Sequence, residues 1–103
     1  MSVQDKIELL KKIAPDDQTL NLVLDKLIGV IQERYVTQLN RYQIDLRSFE
    51  NRYGMSSEEF YGQFEAGRLG DDMDFFEWAG LFELEQRLLE KISYSEIINL
   101  IGK

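Results

Sequence analysis

The 103-residue chain has no cysteine and no histidine. The first absence removes disulfide frameworks and thiolate chemistry. The second removes the commonest metal ligand and the commonest general base near neutral pH. Proline occurs once, so long helices have little to break them. No apolar run approaches the roughly 20 residues that cross a bilayer, and MSVQDKIELLKK is charged where a secretion signal would be apolar. A cytoplasmic location without membrane contact is expected. Positive charge is also scarce, with 12 Lys and Arg against 19 Asp and Glu, a formal −7. That balance argues against direct binding of nucleic acid through net field and suits a basic protein partner.

What remains is a chain rich in helix formers, sized for one domain with one modest core. Ser2 can cap a first helix to about Ala14, with Val3, Ile7, Leu10 and Ile13 on one face and Pro15 as its stop. Asp16 or Asp17 caps the next segment.

From about residue 18 to 53 the apolar series Leu20, Leu24, Leu27, Ile31, Tyr35, Leu39, Tyr42, Leu46, Phe49, Tyr53 advances in steps of three or four. This is one face of a continuous helix, with a repeat nearer eleven than seven, which favours a rod over a heptad zipper. A helix of that length spans roughly 50 Å, more than so short a chain easily covers. Two outcomes are open. The helix breaks near Gly29 or Gln38 and folds back, or a second chain covers the surplus stripe. In the second case Leu20, Leu24, Leu27, Ile31, Tyr35, Leu39 and Tyr42 are the oligomerisation residues.

Gly54 suits a left-handed helix end. Ser56 or Ser57 then starts a short helix burying Phe60 and Phe64, with Tyr61 beside them and Glu58 and Glu59 in its first turn. Asp71 or Asp72 opens a further helix to about Ile92, carrying Phe75, Trp78, Phe82, Leu88 and Leu89. Ser93 and Glu96 have capping-box spacing, which predicts a last short helix with Ile97, Ile98 and Ile101, ending at Gly102. The fold class is all-α: a long central helix (about 18–53), a short N-terminal helix and two or three shorter C-terminal helices. The whole forms a single domain, 1–103, divided by charge into 1–53 and an acidic aromatic segment, 54–103.

The cluster GDDMDFFEWAG, residues 70–80, admits three explanations. Asp71, Asp72, Asp74 and Glu77 offer oxygen ligands for a hard cation, but the spacing lacks the glycine and closing acid of a calcium loop. Carboxylate acid–base catalysis needs two acids in contrasting environments within a cleft, which one exposed turn does not supply. Capping and charging a helix N-terminus accounts for Asp71, Asp72 and Asp74. It does not account for Glu83, Glu85 and Glu90 further along, nor for the contrast with Arg34, Arg41, Arg47 and Arg52 on the long helix. An acidic surface interleaved with aromatics fits a basic partner better than an enzyme or a metal site. No cofactor and no metal are expected.

The run FENRYGMSSEEFYGQFEAGRLGDDMDFFEWAGLFEL, residues 49–84, resembles a block found in short acidic proteins of bacteria and archaea, the antitoxin halves of toxin–antitoxin pairs. The resemblance covers about a third of the chain. It implies a proteic antitoxin without enzyme activity, in tight complex with a small toxin, often a ribonuclease, encoded nearby, and a capacity to dimerise. The matching positions that would carry toxin contact are Tyr53, Phe60, Phe64, Asp71, Asp72, Asp74, Phe75, Phe76, Glu77 and Trp78. The DNA-binding domains of many antitoxins are not legible here. Promoter contact would have to use Lys6, Lys11, Lys12 and the arginines of the long helix. The alternative is a self-assembling helical structural or adaptor protein with no toxin partner.

Overall fold

The computed structural model describes the backbone of residues 1–101 and the side chains of residues 1–94. The fold is all-α: α1 Val3–Ile13, α2 Asp17–Tyr53, α3 Ser57–Glu65 and α4 Met73–Ile101, with no strand among the described residues.

Local contacts start each of the four helices and end the first three. Ser2 closes a full capping box on α1: its Oγ accepts the Asp5 N–H at 3.1 Å, and Asp5 Oδ2 accepts the Ser2 N–H at 3.1 Å. Ala14 is extended, as the residue before a proline prefers, and ends the helix. Asp16 restarts the chain by accepting the Thr19 N–H at 2.6 Å, which holds its carboxyl below the usual carboxylate range.

α2 then runs unbroken for 37 residues. Neither Gly29 nor Gln38 interrupts it. One glycine costs about 1 kcal/mol relative to alanine, whereas a fracture would strip several backbone groups of their partners. Gln38 stays on the surface and donates from Nε2 to the Tyr42 hydroxyl at 2.8 Å. Gly54, with φ of 68°, ends α2 and returns its N–H to the Glu50 carbonyl at 2.8 Å.

Ser56 caps α3 through Oγ, accepting the Glu59 N–H at 3.1 Å. Gly67, at φ 70°, lets the Arg68 N–H return to the Gln63 carbonyl and closes α3. Asp72 caps α4: its Oδ1 accepts the Asp74 N–H at 2.9 Å.

The expected stop near Ile92 is absent. α4 continues through Ser93 to Ile101, so the capping-box pair Ser93 and Glu96 starts no new helix. No proline or glycine lies between Gly80 and Gly102, and a serine alone does not end a helix whose flanking residues all favour it. The side chains of Ile97, Ile98 and Ile101, and the expected end at Gly102, lie outside the described residues.

The chain divides into two compact units, Met1–Glu33 and Arg34–Lys103. The boundary between them lies inside α2. In the first unit no described side chain is buried. The second holds the core: Leu46 and Phe49 from α2, Phe60 from α3, and Trp78 and Ala79 from α4. Trp78 stacks against Phe49, and the Lys91 ammonium lies 5.8 Å from the centre of the Tyr35 ring. Within the second unit α4 therefore runs antiparallel to the part of α2 between Tyr35 and Phe49.

Candidate partner-binding surface

Trp78 organises the second unit. It is fully buried, and its ring lies 3.8 Å from that of Phe60 with planes only 4° apart. Isolated aromatic pairs prefer an offset or edge-on geometry, so burial between helices, rather than ring–ring preference, holds this overlap. Phe49 and Tyr53 stack on the indole at 5.7 and 5.6 Å. The indole N–H donates to Ser57 Oγ at 2.9 Å, and the Ser57 N–H donates to Glu50 Oε2 at 2.8 Å. One serine thus ties α2, α3 and α4 together, and no buried side-chain polar atom among the described residues lacks a partner.

A second tie lies at the start of α4. Asp74 Oδ2 accepts from the Tyr53 hydroxyl at 2.7 Å and from Arg52 at 2.8 Å. These contacts hold the Asp74 carboxyl below the ordinary carboxylate range, Tyr53 first and Arg52 second. They push Tyr53 and Arg52 above their usual values. A third tie joins α3 to α4: the Tyr61 hydroxyl donates to Glu83 Oε1 at 2.6 Å, which raises the Tyr61 ionisation well above the normal tyrosine range.

The ten sequence-predicted contact residues therefore separate into distinct roles. Phe60 and Trp78 are core residues with no exposed face. Tyr53, Phe64 and Phe75 are half-buried and pack against that core. Asp72 caps α4, and Asp74 is held by Arg52 and Tyr53. Asp71, Phe76 and Glu77 face outward. Phe76 is 52% exposed, and its ring meets that of Phe64 edge-on at 5.6 Å, which restrains it on one side. Asp71 and Glu77 enter no ion pair among the described residues. The result is one exposed aromatic side chain, Phe76, backed by half-buried Phe64 and close to exposed acids at the start of α4.

Sequence reasoning gives Glu50 no role, Ser57 only that of a helix start, and Arg52 only a share of the long helix's positive charge. Ser57 lies beside the true cap and looks redundant with it. The partners of Arg52 and Glu83 lie 22 residues away in the chain, a pairing that no periodicity reveals.

The predicted oligomerisation stripe also divides. Tyr35, Leu39 and Tyr42, in the second unit, are half-buried, and beyond them Leu46 and Phe49 enter the core. Leu24, Leu27 and Ile31, in the first unit, are exposed, and Leu20 is half-buried.

An open groove of about 240 Å³ lies beside the core, with Leu46 and Phe82 as its apolar wall and Arg47, Glu50, Glu58 and Glu85 at its rim. Among the described residues no three carboxylates gather closely enough to hold a metal ion. None of the described helices is long and apolar enough to cross a membrane. Comparison of the chain with protein-family models, curated proteins and solved structures finds no match.

Proposed function

We propose that the chain is a non-catalytic, antitoxin-like protein-binding module that neutralises a small basic partner protein, of the ribonuclease-toxin kind, by covering its cationic surface. The observation that carries this reading is Phe76, exposed and set edge-on against Phe64, a few positions along the chain from the exposed carboxylates of Asp71 and Glu77, which enter no ion pair among the described residues. An aromatic side chain restrained on one side loses less freedom on binding, which is what an interface anchor requires. The surrounding charge has the sign that draws in a cationic protein: residues 54–103 carry eleven acids against four bases. Such a field accelerates encounter and rejects anionic competitors. Occupying a nuclease's basic face in this way excludes its polyanionic substrate by charge and by bulk.

The interior of the second unit serves this surface without touching the partner. Trp78, Phe60 and Ser57 hold α3 and α4 in register, and the Arg52–Asp74–Tyr53 cluster fixes the first turn of α4 from which Phe76 projects. Asp72 and Asp74 are thus structural, and the partner-facing charges are Asp71 and Glu77.

The test is to co-purify the chain with the product of its neighbouring gene and to measure affinity for Phe76→Ala and for the double variant Asp71→Asn, Glu77→Gln. Truncating Phe76 should cost about 1–3 kcal/mol of binding, and neutralising the two carboxylates should flatten the salt dependence. Wild-type affinity and an unchanged salt slope in both variants would reject the proposal.

A further inference from the structure

The first unit presents a different surface from the acidic one at the start of α4. Eleven large apolar residues of Met1–Glu33 are exposed, among them Val3, Ile7 and Ile13 on α1 and Leu24, Leu27 and Ile31 on α2. Leu24, Leu27 and Ile31 step by three and four along one face of α2, and Val3, Ile7 and Ile13 fall within about a third of the circumference of α1.

We infer that this unit docks on the same unit of a second copy of the chain, with α1 antiparallel to its mate across a two-fold axis. Three observations select that occupant. The first is area. Half-exposed aliphatic side chains in this number offer roughly 300–600 Å² of apolar surface. That matches the apolar share of about 800 Å² per partner in a standard homodimer interface. The second is charge. The unit carries six acids and four bases, a near balance that gives a strongly basic partner little to hold, unlike the segment after residue 54. Along α1 the charge is also ordered, with Asp5 in the first turn and Lys11 and Lys12 in the last. Antiparallel pairing therefore sets each basic end against an acidic start and opposes the two helix dipoles. The third is length. α1 has 11 residues and buries none of them, and an isolated helix that short is marginal in water. Its capping box and apolar face acquire a purpose once a mate covers them.

This inference is independent of the proposed toxin partner, because it concerns the chain alone and a separate surface. Sedimentation equilibrium of the full-length chain should show a reversible monomer–dimer equilibrium. Leu27→Glu should weaken the dimer about 100-fold or more by placing an unpaired charge in the interface. The Trp78 fluorescence should stay that of the wild type, which separates a lost interface from a lost fold.

The chain has no cysteine of its own, so single introduced thiols report the arrangement. Ile7→Cys, near the two-fold axis, should form a disulfide-linked dimer on mild oxidation. Val3→Cys should not, since the two copies of residue 3 would sit roughly 15 Å apart along the helix axis. A chain that stays monomeric at every soluble concentration would overturn the inference. So would a Leu27→Glu dimer as tight as the wild type, or Val3→Cys linking as readily as Ile7→Cys.

Discussion

The Trp78 indole N–H and the Ser57 hydroxyl meet at 2.9 Å with both residues buried, at the point where α2, α3 and α4 join. Ser57→Ala would leave the indole N–H inside the core without an acceptor, a loss of about 1–3 kcal/mol. Trp78 is the only tryptophan, so its emission reports this junction directly. Denaturant titration followed by that emission should show an earlier midpoint, with the fluorescence of the folded state shifted.

Gly54 turns the chain out of α2 at φ 68°, and a Cβ there would meet no neighbouring atom. Gly54→Ala is therefore a purely backbone perturbation. It should cost about 1–2 kcal/mol, the strain of a left-handed conformation in an L-residue, while leaving the circular dichroism of the folded protein unchanged.

Asp74 links stability to acid pH. Its carboxyl is depressed by the Tyr53 hydroxyl and by Arg52, so its contribution is present above the unfolded carboxylate value of about 3.9. The contribution disappears as pH falls through the lower folded value. Asp74→Asn should be less stable than the wild type by a constant margin near neutrality, and that margin should close below about pH 4. Thermal melts of the two proteins across that range provide the measurement.

The tyrosines give the opposite sign. Tyr61 donates to Glu83 and Tyr53 donates to Asp74, and both ionisations are raised. Their stabilisation is complete below the unfolded tyrosine value of about 10 and is lost as pH climbs through the raised folded values. Phenolate absorbance should show Tyr53 and Tyr61 titrating late. Glu83→Gln should bring Tyr61 back toward the ordinary range without moving Tyr53.

Much of the helical framework was legible because it rests on local chemistry. Ser2, Asp16, Gly54 and Ser56 act within a few residues of themselves, and a reader of the sequence sees both members of each interaction. The uninterrupted α2 follows from its apolar steps and the lack of proline. The false stop near Ile92 has the same local origin: capping-box spacing at Ser93 and Glu96 permits a helix start and does not compel one. The candidate site was legible as a region but not in its parts. Phe75, Phe76 and Trp78 lie within four positions and look alike in composition, yet only packing against Phe60 and Phe64 decides that the indole turns inward and Phe76 outward. Asp74 is indistinguishable in sequence from its acidic neighbours, and only Arg52 and Tyr53, far away along the chain, set it apart.

The lack of any buried side chain before Arg34 has a dynamic consequence. The backbone amides of α1 and of the first half of α2 lie beneath no fully buried side chain, so in a lone chain they should take up deuterium fastest. Those around Phe49, Phe60 and Trp78 should take it up last. Slowing of exchange confined to the N-terminal third, as protein concentration rises or a foreign protein is added, would then reveal which molecule has settled there and where its footprint ends.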